Sequence, residues 1–460
     1  MAIQIWKKKR RGARFFKGPA GLSALMAGLE KDLSACMRCG VCQSACPLFR
    51  QTRREADVAR GKLALLEGLA GHLFRDSRGV DERLDRCLLC GSCQAVCAGG
   101  VHVLAIFLKA RAILAGYRRL SFVKKIIFRT MLARPGVFDK ITAAAAKFQG
   151  VFLTGEDPET GSVSFKIPRS LSSQGRRIPP PARTPLRDSL PDLTRNPDNP
   201  GPRAVFFTGC LIDKIYPRVG HAAIQALLSR EAAVLVPKNQ GCCGIPALAA
   251  GEIGVFSDLV AHHVRLFSKQ EFDFLITACA TCAFAIQKLW PAMWPETDPE
   301  FRKRLERLSE KTLDISQFLV NVAGLEAPAG QGGGIRKKES AGQKIVTYHD
   351  PCHLAKSLGV RREPRELLRA CPGYEFREMA APDQCCGMGG SFNLSHYGLS
   401  SRIGAEKAEH IEAAECHVAA SGCPACMIQI SDMLSGKKAP DGSPIRVAHP
   451  VELYAEGLKD

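Results

Sequence analysis

Cysteine placement constrains this chain more than any other feature. Of its 20 cysteines, all but Cys371 and Cys416 fall in short motifs that occur twice. A disulfide scaffold is small and loop-rich, whereas this chain has 460 residues, enough for about three domains of roughly 150 residues each. Thiols two or three residues apart can converge on one ion, so the spacing points to metal or cluster ligation and against a disulfide framework. Ligating thiols stay reduced, which implies the cytoplasm. Apolar residues make up 46% of the chain, enough for ordinary cores. No run of about eighteen uncharged apolar residues exists, which excludes a conventional membrane-spanning helix.

Cys36, Cys39, Cys42 and Cys46-Pro47 read C-x-x-C-x-x-C-x-x-x-C-P, and Cys87, Cys90, Cys93 and Cys97 repeat that spacing. Three thiolates at i, i+3 and i+6 can wrap one face of an iron–sulfur cube, while the fourth cysteine reaches the other cube. The expected ligand sets are Cys36, Cys39, Cys42 and Cys97 for one 4Fe-4S cluster, and Cys87, Cys90, Cys93 and Cys46 for a second. Structural zinc prefers pairs of C-x-x-C hooks, and no C-x-x-C is followed by the His of a c-type haem site. Cys97 is followed by Ala98 where Cys46 has Pro47, so that turn is less rigid. The stretch between the motifs, with Ala56, Leu63, Leu65, Leu66 and Leu69, reads as helical. It resembles the helical ferredoxin domain of the succinate dehydrogenase iron–sulfur subunit type, not the compact β-rich bacterial ferredoxin.

The C-terminal half is an internal duplication. Cys210 to Cys352 is 142 residues, Cys242 to Cys385 is 143, and Cys279 to Cys423 and Cys282 to Cys426 are each 144. In the first copy a short apolar run, Ala204 to Phe207, ends at Cys210. Val234-Leu235-Val236 precedes Gly241-Cys242-Cys243-Gly244, and Phe274-Leu275-Ile276 precedes Cys279-Ala280-Thr281-Cys282. The second copy repeats this with Ile345 to Tyr348 before Cys352, then Cys385-Cys386-Gly387 and Cys423-Pro424-Ala425-Cys426. Thr312 to Val320 and Arg446 to Tyr454 read as a closing strand and helix in each. Strands alternating with helices predict a parallel α/β sheet, whose carboxyl edge gathers distant cysteines at one site. Five thiolates exceed what a closed zinc site needs, and an adjacent pair suits one tetrahedral ion poorly. A larger cluster uses all five; zinc with a spare thiol, a redox disulfide and simple packing are the alternatives.

The order of a twin C-x-x-C-x-x-C-x-x-x-C ferredoxin and two C…CCG…C-x-x-C units resembles the glycolate oxidase iron–sulfur subunit family. Its wider relatives include the anaerobic glycerol-3-phosphate dehydrogenase C subunit, the heterodisulfide reductase D/B subunits and the lactate-utilisation iron–sulfur proteins. The resemblance covers roughly residues 31–460. It implies further iron–sulfur clusters, one or two in number and of non-cubane type in heterodisulfide reductase relatives. Their ligands would be Cys210, Cys242, Cys243, Cys279 and Cys282 in one unit, and Cys352, Cys385, Cys386, Cys423 and Cys426 in the other. It further implies an electron-transfer subunit of an oxidoreductase complex that is not itself catalytic on the organic substrate. An FAD-containing dehydrogenase subunit would oxidise glycolate, lactate or a similar 2-hydroxy acid, and electrons would pass to a quinone or another carrier. A reading different in kind is a heterodisulfide-reductase-like catalytic subunit that reduces a disulfide at one of the repeat units.

The expected organisation is all-α then α/β. Residues 1–30 form a basic tail, 31–103 a helical ferredoxin domain, and 104–203 a basic helical segment with a Pro/Gly/Ser-rich linker. Residues 204–325 form the first cysteine-rich unit, 326–343 a linker, and 344–460 the second unit. The tail carries Lys7, Lys8, Lys9, Arg10, Arg11, Arg14 and Lys17 without an acid, and residues after Arg10-Arg11 do not match a twin-arginine signal. From His102 to Phe138 there are eight Lys or Arg and no acid. With a net charge of +19, these suit peripheral attraction to an anionic membrane face or an acidic flavoprotein. Aromatic interleaving is sparse and no nucleic-acid motif occurs, so nucleic acid is not an expected partner. No G-x-G-x-x-G lies between a strand and a helix, so no NAD or FAD site is expected in this chain. His349 and His353 flank Cys352 and could tune a cluster or move protons, whereas His262-His263 reads as a mid-helix pair without a fitting partner.

Overall fold

The computed structural model describes residues 22, 26–73, 76–118, 120–147, 153–154, 163–165, 176–190, 201–294, 298–326 and 343–458. The seven basic residues of the tail and residues 327–342 of the second linker lie outside them.

The N-terminal domain is helical. Cys46 takes an extended conformation (φ −81°, ψ 114°) and caps the helix Pro47–Thr52, its sulfur accepting from the Phe49 amide at 3.4 Å. Pro47 fits the first helical position, where an amide hydrogen would have no partner. The helix Ala59–Ala70 buries Leu63, Leu66 and Leu69 against Val80 and Leu84 of the helix Arg78–Asp85. Val103, Ile106, Phe107, Ala110 and Leu114 of the helix Val103–Arg118 enter the same core. That helix begins the basic segment, and several of the segment's described cations have intramolecular roles. Lys109 pairs with Asp32 at 3.0 Å, Arg118 with Asp81 at 2.7 Å and Arg129 with Glu252 at 2.8 Å. The buried Arg111 guanidinium donates to the carbonyls of Leu84, Cys87 and Ala249, tying the ferredoxin domain to the first cysteine-rich unit.

Residues read from sequence as linker contribute a small antiparallel sheet, β1 (Leu153–Thr154), β2 (Val163–Phe165) and β3 (Arg177–Ile178), in that order. The Arg177 amide donates to Asp432 of the second unit at 2.8 Å, and the Ala182 amide to the Lys214 carbonyl of the first at 2.7 Å. This segment therefore straps the two units together.

Each cysteine-rich unit is a four-stranded parallel sheet between helices. The first contains β4 (Arg203–Phe206), β5 (Ala233–Leu235), β6 (Phe274–Thr277) and β7 (Thr312–Asp314), in the order β5-β4-β6-β7. The second contains β8 (Lys344–His349), β9 (Tyr374–Phe376), β10 (Val418–Ser421) and β11 (Arg446–Ala448), in the order β11-β10-β8-β9. Read from the same edge the two orders are identical. Registers repeat as well: Ala204 faces Phe274, and Val346 faces Val418. Val205, Phe206, Leu275 and Ile276 are all buried, as expected of strands covered on both faces. The two sheets share one continuous core, which includes Val205, Phe206, Val346 and Tyr348. The architecture is the expected one: a helical ferredoxin domain followed by two tandem α/β units.

Candidate metal centres

All 20 cysteines are free thiols. In the ferredoxin domain one cavity is lined by Cys36, Cys39, Cys42, Cys93 and Cys97, with Arg60 at its wall. Cys39 is exposed, and Met37 and Val41 beside it are 70% and 45% exposed. Burial raises the Cys42 thiol, opposed by the Arg60 backbone and charge. Cys46 lies deeper: burial, helped by the neighbouring Cys90 and Cys87, pushes it up to about 12. Cys93 feels Cys87, Cys90, Cys46 and Cys42, so it stands between the two cysteine groups.

In the repeat units, the strand ends aim the thiols. Cys279 and Cys423 cap the helices that follow β6 and β10, with matching backbones (φ −139° in both). Cys282 and Cys426 then fall in the first turn of those helices, where hydrogen bonds to neighbouring cysteines, then burial, raise both thiols. Gly244 and Gly387 close the C-C-G turns at φ +89° and +90°. A β-carbon at Gly387 would lie 2.5 Å from the Ser400 carbonyl oxygen, and one at Gly244 would lie 2.9 Å from the Phe256 ring. The third letter of the motif is therefore glycine for both conformation and space.

The units dock so that their thiols form one run. Cys210 donates to Cys242 at 3.8 Å. Neighbouring thiols that shift one another continue from Cys242 to Cys243, Cys282 and Cys279, and then across the interface to Cys423. From Cys423 they pass to Cys426, Cys386, Cys385 and Cys352 in mirrored order. Cys385 also packs with Cys90 of the ferredoxin domain and raises its thiol. Hydrogen bonds from Cys242 and then Cys282 hold Cys243 well below the ordinary thiol range; Cys385 and Cys426 do the same for Cys386, as do Cys279 and Cys426 for Cys423. Cys210 and Cys352 are half-buried and the other eight candidate thiols are buried. Soft, converging sulfur donors of this number fit iron–sulfur centres. Cys371 and Cys416 stay outside the run, buried and donating to the Leu367 and Ile411 carbonyls at 3.2 and 3.6 Å.

The histidines and one lysine form the surrounding shell. His353 joins three domains: its Nε2 donates to the Leu89 carbonyl at 3.1 Å, its Nδ1 meets Thr281 Oγ1 at 3.2 Å, and its ring stacks on Phe284. Thr281 Oγ1 lies 3.4 Å from Cys423 Sγ. His349 is buried, and its ring offers a nitrogen within 4.8 Å of Cys386 and Cys426 sulfurs that lie equally close to each other. Burial, then the Lys407 charge, lowers His349 to about 3, so it is neutral. His263, read from sequence as partnerless, accepts from the Gly241 amide at 3.0 Å directly behind the first C-C-G turn. Lys407 backs the second turn, donating to the Ala381 and Pro382 carbonyls at 2.7 and 3.2 Å. Sequence reading missed Lys407. The signal was present in the 144-residue offset, which sets Lys407 against His263.

Comparison with known proteins agrees with this division. The 4Fe-4S dicluster domain model matches residues 32–101, and the cysteine-rich CCG domain model matches residues 204–287 and 346–431. The chain is 26% identical to the probable glycolate oxidase iron-sulfur subunit of Bacillus subtilis, over 93% of this chain and 94% of that protein. It is 29% identical to a subunit of the fumarate reductase (CoM/CoB) of Methanothermobacter marburgensis, over 94% of this chain and 73% of the relative. It is 33% identical to lactate utilization protein A of Geobacillus kaustophilus, over 54% of this chain and 96% of that protein. The chain belongs to the glycolate oxidase iron–sulfur subunit family of cysteine-rich CCG-domain proteins.

Proposed function

We propose that this chain is the iron–sulfur electron-transfer subunit of a flavin-dependent 2-hydroxy-acid dehydrogenase, with glycolate or lactate as the substrate class. An FAD-containing partner oxidises the acid, and a quinone or another carrier receives the electrons. The observation that carries this reading is the continuous series of thiols from the exposed Cys39 edge, through Cys93, Cys90 and Cys385, to the half-buried Cys210. Flavin gives two electrons, and iron–sulfur centres bound here would take them one at a time.

The ligand sets proposed are Cys36, Cys39, Cys42 and Cys97; Cys87, Cys90, Cys93 and Cys46; and the five cysteines of each repeat unit. The chain's own part is to hold those centres, bury most of the repeat-unit thiols, and fix the order of the centres by domain docking. Met37 and Val41, exposed around Cys39, offer an apolar contact for the flavoprotein.

No helix among the described residues is long and apolar enough to cross a membrane. The helix Phe122–Ile126 and the turn after it expose Phe122 (76%), Ile126 and Ile127 beside Lys124 and Lys125. That mixture supports peripheral attachment to an anionic membrane face from the cytoplasm.

The test is to mix the iron-loaded chain anaerobically with its flavoprotein and a 2-hydroxy acid. Bleaching of the broad visible absorbance is expected. No bleaching, together with reduction of a heterodisulfide by the chain alone from an artificial donor, would favour the second reading. That reading, a disulfide reductase, draws on the partial exposure of Cys210 and Cys352 at the two ends of the thiol run.

A further inference from the structure

We propose that His349 is an iron ligand, so that the centre in the second cysteine-rich unit carries a nitrogen donor that the first unit's centre lacks. This rests on the reading that both units hold iron–sulfur centres.

His349 is the last residue of β8 and sits opposite Ser421 on β10. It is 1% exposed, and neither ring nitrogen has a hydrogen-bond partner. The ring nitrogens of a buried imidazole normally find hydrogen-bond partners. Two cysteine sulfurs are its nearby donor atoms. One ring nitrogen, Cys386 Sγ and Cys426 Sγ all lie within 4.8 Å of one another. Metal bonds of roughly 2.0–2.3 Å at tetrahedral angles separate donor atoms by roughly 3.5 Å, so a small inward adjustment places one ion among the three. Imidazole and thiolate are both iron donors, and mixed Cys/His ligation occurs where two histidines replace two cysteines at an iron–sulfur centre.

The first unit supplies the internal control. The equivalent of His349 is Phe207, which follows β4 and whose amide donates to the Ile276 carbonyl at 2.7 Å. The Phe207 ring sits among aromatic neighbours, with centroids 5.2 Å from His263, 6.1 Å from Phe267 and 6.4 Å from Trp290. The corresponding second-unit positions, 144 residues later, are Lys407, Ile411 and Leu434. The imidazole therefore does not occupy an inherited aromatic nest. It stands among sulfurs, in the only described group of three or more His, Cys, Asp or Glu side chains with ligand atoms this close.

The test uses the full chain, purified anaerobically with its own iron and crystallised under the same conditions. Iron-edge anomalous scattering is expected to place iron at about 2.1 Å from a His349 nitrogen, a metal–imidazole bond length. Iron bound by the second-unit cysteines but beyond 3 Å of both nitrogens overturns the inference and leaves the electron-transfer reading intact. Zinc or no metal there overturns both. In solution, pulsed EPR of the reduced chain is expected to show a nitrogen coupling that changes on ¹⁵N-histidine labelling and is lost in His349→Phe. A parent signal from the second unit without such coupling contradicts the assignment, and the labelled parent carries this result even if the variant does not fold.

Discussion

In the first cysteine-rich unit, Phe207 follows its strand into an aromatic cluster and a neutral His263 backs the C-C-G turn. In the second, His349 ends the equivalent strand against two thiols and Lys407 backs the turn. Strand order, register, the five cysteines and the closing glycine are the same in both. The duplication has kept the donor frame and changed what surrounds it. Outer partners tune a metal centre as strongly as its ligands do, so two similar sulfur cradles need not hold equivalent centres. Position differs too: Cys385 of the second unit packs with Cys90 of the ferredoxin domain, whereas the first unit is reached across Cys279 and Cys423.

The largest expected effect breaks the series at unequal places. Cys386→Ser should lose iron from the second unit and slow electron arrival at the first by at least about tenfold, the scale expected when a metal site is disrupted. Cys243→Ser should lose first-unit iron and leave the second unit reducible at its parental rate. Iron analysis with stopped-flow reduction distinguishes them; equal slowing of the second unit by both variants would contradict the order.

Gly387→Ala and Gly244→Ala come next. Both force a β-carbon at positive φ, but Gly387 meets a backbone oxygen and Gly244 a ring edge that can shift. The expected costs are about 3 kcal/mol and about 1–2 kcal/mol respectively, read from urea midpoints at unchanged m value.

A smaller effect concerns Lys407. A buried cation beside Cys385 and Cys386 favours the more negative, reduced state of a centre there. Lys407→His, which installs the first unit's residue, should lower the second centre's reduction potential and leave the first unchanged in a redox titration.

The smallest is a pH effect at the helix caps after β7 and β11. Asp314 and His449 hold equivalent positions, each in a capping box. Burial raises Asp314 to about 6 and lowers His449 to about 4. An unfolded Asp releases its proton near about 4, so between there and about 6 the folded chain holds more protons at Asp314, and stability falls as pH rises. An unfolded His takes up a proton near about 6.5, so between that and about 4 the folded chain holds fewer at His449, and stability rises with pH. The slopes oppose in the parent. Asp314→Asn should make stability rise more steeply from pH 5 to 6, and His449→Asn should make it fall, in denaturant midpoints compared with the parent.

Much of this is legible in the order of residues alone. The twin cysteine spacing predicts two clusters because the ligand geometry admits few alternatives, and the apolar pattern from Ala56 to Leu69 reads as helix between them. Apolar runs such as Ala204 to Phe207 and Phe274 to Ile276 read as buried strands, and the 144-residue echo carries one sheet onto the other. What stayed hidden depends on docking. Nothing local makes Cys279 meet Cys423, or Cys90 meet Cys385; those contacts come from domains far apart in sequence. His263 looked partnerless because its partner, the Gly241 amide, is 22 residues away. The segment from 104 to 203 read as basic helix and linker, yet Arg111 and Arg129 serve as internal ties and Arg177 joins a sheet. Charge pattern cannot separate a solvated cation from one that an opposing carboxylate or carbonyl will claim.

Iron and acid-labile sulfide, counted per chain in anaerobically purified and natively folded protein, test the central claim most directly. Two ferredoxin cubes account for about eight irons. The account predicts clearly more than that, with the excess removed in separate portions by Cys243→Ser and Cys386→Ser. A count of about eight or fewer that neither variant changes would contradict it.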